Sequence, residues 1–271
     1  MLLIFLRSEP NFGATLTTIS FSLQGETKYT IMDYRILFPN RTPENLIIAV
    51  YLLFIFWIGP AFMRNRKPYT LKKTLICYNF LQSALNAYLS YQVILGVWGK
   101  WDLRCNVRHN PNFDEIAKAS IQNFYYYYYL KFVDLLDTVF FVLRKKKNQL
   151  TFLHVIHHAG MVIIINWCLQ YFREASAHYI IICLLMNTIV HVIMYFYYGL
   201  AAFGGRIRKY LWWKKYLTLV QIIQIFCMLI YMAIAFLTGC DEFRIYEKIV
   251  FSFFALNFFL FINFYKKSKK E

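Results

Sequence analysis

Charge is scarce in this sequence: of 271 residues only 16% are Asp, Glu, Lys or Arg, while 59% are hydrophobic. Acids are scarcer still, 14 against 30 Lys and Arg. The chain also lacks internal repeats, linkers and any low-complexity segment beyond FYYYYYL at 124–130, which reads as an aromatic girdle at a membrane interface. A soluble domain of this size would not need apolar runs at 45–63, 75–98, 121–143, 151–170, 179–203, 216–237 and 246–265. Each is close to the ~20 residues with which a helix crosses a ~30 Å hydrocarbon layer. Without water in that layer the backbone must bond to itself. The expected fold is an all-α membrane protein, a bundle of seven transmembrane helices with no separate soluble domain. Residues 1–30 read as a loosely ordered arm, 31–265 as the helical domain and 266–271 as a basic tail. The opening MLLIFLRSEP is too short and wrongly flanked for a signal peptide, so the first span is expected to start insertion. Gly59-Pro60 is expected to kink or end that span.

The net charge of +16 raises nucleic acid as a partner, but its placement argues for none. Bases cluster at 64–73, 144–147, 206–215 and 266–270, which are alternate loops and the C-terminal tail. The intervening loops mix acids with few bases. The positive-inside rule then puts the N-terminus in the lumen and the C-terminus in the cytosol. The tail, KKSKKE, places Lys267 and Lys269 at the spacing of a dilysine retrieval signal, so residence in the endoplasmic reticulum membrane is expected. Of six cysteines, Cys77, Cys168, Cys183 and Cys227 fall in spans and read as packing residues. Cys105 and Cys240 stand in the expected lumenal loops, and a disulfide between them is expected in that oxidising compartment. Asn40-Arg41-Thr42 is a sequon, but Pro43 and the nearby span disfavour glycosylation.

Polar residues inside the spans are few and share faces. An Asp at the centre of a span costs roughly 2.5–3.5 kcal/mol. The third span nevertheless holds Lys131, Asp134 and Asp137, within an arc of about 120° at 100° per residue. His154, His157 and His158 of HVIHH fall within about 100° on the fourth. Asn187, His191, Tyr195 and Tyr198 share a face of the fifth, and Gln221 and Gln224 are three apart on the sixth. The expected topology brings these faces to one layer in the cytosolic half of the bundle. A lone Gln or Tyr there is ordinary interhelical glue; four imidazoles opposite two carboxylates are a site.

Six histidines are too few for a membrane di-iron centre, which needs about eight or more, and His109 lies in a loop. A single zinc could be held by His154, His157, His158 and His191, yet no metal is the expected reading. Cysteine catalysis has no support, because no span cysteine has a histidine at helical spacing. A neutral imidazole, which desolvation favours, can attack a thioester as nucleophile. Spacing does not choose among His154, His157 and His158. A seven-span receptor would place its pocket towards the outer side. A transporter would show half-helices broken by Gly or Pro near the midplane.

KFVDLLDT at 131–138, HVIHH at 154–158, NTIVHVIMYFYY at 187–198 and YLTLVQIIQ at 216–224, with NRKPYTLKK at 65–73 and LWWKKYLT at 211–218, resemble the ordered motifs of the very-long-chain fatty acid elongase (ELO) family. The resemblance implies a 3-oxoacyl-CoA synthase of the endoplasmic reticulum that joins malonyl-CoA to a long-chain acyl-CoA, releasing CO2 and CoA. It implies a substrate tunnel between the helices and points to His157 as nucleophile. Asp134 stands where the family usually has Glu, which keeps the charge and shortens its reach. The expected chemistry is ping-pong, through an acyl-imidazole. His191 would move a proton or polarise the thioester, Asn187 and Tyr195 would donate to the oxyanion, and Asp134 and Asp137 would orient imidazoles. Lys131, Gln221, Gln224 and Tyr198 complete the expected substrate-binding face. Arg144, Lys145, Lys146, Arg208 and Lys214 are candidates for gripping the CoA phosphates. Expected partners are acyl-CoA, malonyl-CoA, membrane lipid, the reductases and dehydratase of the elongation cycle and a second copy of the chain. No cofactor is expected beyond the CoA thioesters.

Overall fold

The computed structural model describes residues 42–98, 113–170, 177–240 and 244–268, all in the compact unit Asn40–Glu271. Every regular element among the described residues is a helix. α1 (Thr42–Leu53) passes through a π-helical turn, Phe54–Ile58, into α2 (Gly59–Met63). Then come α3 (Lys72–Val97), α4 (Phe113–Leu143), α5 (Phe152–Gln170), α6 (Ala177–Phe203), the short α7 (Gly205–Arg208), α8 (Lys214–Leu237) and α9 (Ile245–Ser268). These bounds follow the apolar runs closely, except that α4 starts at Phe113 rather than near 121.

Pro60 does not end the first helix. A proline ring crowds the carbonyl four residues back and brings no N–H to the ladder. The chain answers with the wider π register: Gly59 N–H donates to Phe54 O, five residues back, and the helix runs on to Met63. Glycine also suits position 59 because a Cβ there would lie 2.7 Å from Val142 Cγ1 of α4.

Among the described residues, five stretches are long and apolar enough to cross a membrane: Glu44–Met63, Phe152–Leu169, Ile180–Phe203, Tyr216–Leu237 and Ile245–Lys267. The protein is thus a multi-pass membrane protein. α3 and α4 are longer, at 26 and 31 residues, but each buries a polar stripe. In α3 the stripe is Asn79, Gln82, Ser83, Asn86 and Ser90; in α4 it includes Lys131, Asp134 and Thr138.

Contacts run α3–α6–α8–α9–α5–α4 and back to α3, so six helices close a ring, and the π turn and α2 lie against α4. Small hydroxyl residues bring α3 and α6 close, as is usual between helices in lipid. Ser83 Oγ donates to Val192 O at 3.0 Å and Ser90 Oγ to Thr188 Oγ1 at 2.8 Å.

Three expectations meet a different outcome. FYYYYYL is not a girdle: Phe124, Tyr127, Tyr128 and Leu130 are in the core, because α4 packs against α3, α5 and α6 as well as the π turn and α2. Cys168 and Cys183 are buried as expected, whereas Cys77 and Cys227 are exposed. The tail is not wholly separate, since α9 runs to Ser268 with Lys266 and Lys267 in its last turn, where cations complement the helix dipole. Cys240 is disulfide-bonded. Cys105, Asn40 and residues 1–30 lie outside the described residues.

Candidate active site

The carboxylate at position 134 is the hub of a buried network drawn from three helices. Asp134 Oδ2 accepts from Lys131 Nζ at 2.9 Å and lies 3.7 Å from His191 Nδ1. Its Oδ1 accepts from Gln82 Nε2 of α3 at 2.5 Å and from Tyr195 OH of α6 at 2.8 Å. The shorter side chain still reaches three donors, Lys131, Gln82 and Tyr195. Asp137, half-buried, accepts from the same Tyr195 hydroxyl at 2.7 Å. Neither carboxylate holds an imidazole of HVIHH; Asp134 alone faces a ring, that of His191.

This geometry redistributes several expected roles. The one hydroxyl proton of Tyr195 already sits between two carboxylates, so it is not available to an oxyanion. Lys131 is 3% exposed, and its ammonium is turned towards Asp134 and towards His191 Nδ1, 3.3 Å away, rather than towards a substrate. An ammonium has donors only, so His191 Nδ1 accepts and the ring proton sits on Nε2. Nε2–H is then the donor of that ring. Asn187 Oδ1 accepts from Tyr127 OH at 2.8 Å, which leaves its amide NH2 as the donor end.

The three histidines of HVIHH occupy the first two turns of α5. Thr151 caps the helix through its Oγ1, which accepts from His154 N–H at 3.2 Å. Spacing of four brings the His154 and His158 rings together, 4.1 Å between centroids and tilted by 39°, and His157 stands 5.6 Å from His158 at 83°. His154 Nε2 lies 2.9 Å from Thr138 Oγ1, which in turn meets Tyr51 OH at 2.7 Å. His157 Nδ1 lies 3.1 Å from Asn257 Oδ1 of α9. Thr138, Tyr51, Asn257 and Gln82 were not singled out from the sequence. His157, His158 and His191 interact electrostatically with one another and with Lys131, so the two networks adjoin.

Below the imidazoles, the same face of α5 continues into Met161, Ile164, Ile165 and Cys168. Those side chains line an apolar cavity with Phe124 and Tyr127 of α4, Ile180, Cys183 and Leu184 of α6, Met228 of α8 and Val250 and Phe254 of α9. From His157 to Cys168 the helix rises about 16 Å.

The remaining expected residues stand apart from this centre. Gln221 Nε2 points to Met194 Sδ at 3.3 Å and Gln224 Nε2 to Met228 Sδ at 3.1 Å. Tyr198 is 42% exposed, at the edge of the polar core. Arg144, Lys145 and Lys146 follow the end of α4 and precede the first turn of α5. Arg144 is half-buried and Lys146 exposed, while Lys145 Nζ donates to Arg64 O at 3.4 Å. Arg208 ends α7, and Lys214, exposed, opens α8.

A profile of the GNS1/SUR4 (ELO) family matches residues 37–271. Very long chain fatty acid elongase 4 of Homo sapiens is 37% identical over 284 residues, covering 98% of this chain and 86% of that protein. Very long chain fatty acid elongase 7 of Rattus norvegicus is 36% identical over 239 residues, covering 86% and 83%. Very long chain fatty acid elongase 1 of Homo sapiens is 34% identical over 225 residues, covering 82% and 79%. On the strength of a match that spans all the described helices, the chain belongs to the GNS1/SUR4 (ELO) family.

Proposed function

We propose that this protein is a condensing enzyme of fatty acid elongation, joining malonyl-CoA to a long-chain acyl-CoA. The observation that carries the reading is His157 one helical turn before Met161, the first α5 residue lining an apolar cavity on the same face, in a chain whose relatives are named very long chain fatty acid elongases. The acyl tail threads the cavity and the thioester stops at the imidazoles. His191 Nε2–H polarises the thioester oxygen, with the Asn187 amide as a second donor. His157 attacks the carbonyl carbon and CoA leaves. Malonyl-CoA then loses CO2, and its carbanion attacks the acyl-imidazole, giving 3-oxoacyl-CoA for a downstream reductase. The Asp134 network holds His191 rather than taking part in bond making. Arg144, Lys146, Arg208 and Lys214 supply cations for the CoA phosphates, and no metal or other cofactor enters.

In this reading α3 and α4 also cross the membrane, making seven spans with the N-terminus in the lumen. Their polar stripes face the ring interior, so lipid meets only their apolar sides. The tail then lies in the cytosol, and its dilysine spacing accounts for residence in the endoplasmic reticulum. The test is direct: purified protein with acyl-CoA and labelled malonyl-CoA yields labelled 3-oxoacyl-CoA and CO2, and His157→Ala yields neither. Condensation at the wild-type rate by that variant rejects the assignment.

A further inference from the structure

Resting on that reading of His157, we infer that Asn257 is a positioning residue that fixes which nitrogen of His157 is nucleophilic. Asn257 is a buried amide in the apolar helix α9, 1% exposed. Its orientation is not free. Asn257 Nδ2 lies 2.8 Å from Phe253 O, one turn back in the same helix. A carbonyl only accepts, so the NH2 end of the amide must face it. The Oδ1 end therefore faces His157 Nδ1, 3.1 Å away. That oxygen also only accepts, so Nδ1 carries the ring proton. In neutral His157 the lone pair is on Nε2.

The backbone of α9 thus sets the amide, and the amide sets the tautomer. His191 is held in the complementary state, its Nδ1 facing the Lys131 ammonium and its proton on Nε2. One ring offers a lone pair and the other an N–H. Attack by His157 Nε2 forms an N–C bond to the acyl carbon and breaks the C–S bond. The CoA thiolate leaves with the electron pair and takes a proton from solvent. The acyl-imidazole keeps its Nδ1 proton on Asn257 Oδ1 and so carries a positive charge, which makes it the better acyl donor. When the malonyl-derived carbanion attacks, the C–N pair returns to Nε2 and the ring is regenerated as it began. With an apolar side chain at 257, an Nδ1 proton would be buried without an acceptor. The ring would then favour the other tautomer, whose Nε2 has no lone pair to give.

The experiment has two arms. In wild-type protein labelled with 15N-histidine, the ring signals that vanish in His157→Ala report the tautomer. Nδ1 protonated and Nε2 bare is the expected result; the reverse overturns the inference. In the second arm, release of CoA from long-chain acyl-CoA is timed without malonyl-CoA. Asn257→Leu is expected to slow it by about ten- to a hundredfold with KM for acyl-CoA within about twofold. Asn257→Asp, which keeps an acceptor oxygen, is expected to stay within a few-fold of wild type. Folded Asn257→Leu protein releasing CoA at the wild-type rate overturns the inference, as does an Asp variant as slow as the Leu variant. The acyl adduct on wild-type His157 is a separate readout: its absence would sink the nucleophile assignment while leaving the tautomer arm to be decided on its own.

Discussion

At the scale of single residues, Lys131 and Asp134 are an ion pair 2.9 Å long with both side chains 3% exposed. Removing one member of such a pair leaves the other charged and buried, at a cost of about 3–5 kcal/mol. Lys131→Met is expected to lower the thermal midpoint in detergent sharply, and Lys131→Met with Asp134→Asn to recover much of the loss. Equal midpoints for wild type and the single variant would show that the pair carries little. Tyr195→Phe takes the shared hydroxyl from Asp134 and Asp137. A fall of about 1–3 kcal/mol in stability is expected, as for other buried groups left unsatisfied, measured by the same melts. Part of this arrangement was legible from helical spacing: Lys131, Asp134, His191 and Tyr195 meet across α4 and α6, and the three histidines share one face of α5. The Gln82 stripe has the same helical spacing, at 79, 82, 83, 86 and 90. Asn257 was not legible. A lone amide in ALNFFLF has no periodic partner, and only the approach of α5 to α9 shows what it holds.

At the scale of elements, that approach depends on Gly160. A Cβ there would lie 2.5 Å from Phe253 Cε2 of α9, and Phe253 O is the acceptor that orients the Asn257 amide. Gly160→Val forces the ring aside and parts the helices one turn from His157. Condensation is expected to fall by roughly a hundredfold, in line with the cost of a 1 Å misplacement near reacting atoms. Gly160→Val with Phe253→Ala is expected to restore part of it; labelled malonyl-CoA turnover measures both. Helix ends were legible because apolar runs stop where charge begins. The response to Pro60 was not, since a break, a kink and a π turn all relieve the same clash. Nor was the burial of FYYYYYL, because tyrosines suit both an interface and a core whose hydroxyls find partners, as Tyr127 does on Asn187.

For the molecule as a whole, the ring order α3–α6–α8–α9–α5–α4 could not be read from one sequence, because every span is apolar enough to neighbour any other. It matters because it places the cavity between α4, α5, α6, α8 and α9. Phe124, 2% exposed, lies on the cavity wall far along α4 from Asp134. Phe124→Ala is expected to deepen the cavity and shift products to longer chains, read by chromatography of the acyl products; an unchanged distribution would place the chain-length stop elsewhere. Charge placement predicts that a tag after Glu271 is reached by protease from the cytosolic side of intact microsomes, and a tag found protected would reverse the proposed topology.

The proposed ping-pong order requires His157 to take the acyl group from sulfur before the second substrate arrives. The most direct measurement mixes purified protein with long-chain acyl-CoA alone, counts CoA released per chain and maps the acylated peptide by mass spectrometry. The predicted result is about one CoA per active chain, with the acyl mass on His157. Release that waits for malonyl-CoA, or an acyl group found on another side chain, would contradict it.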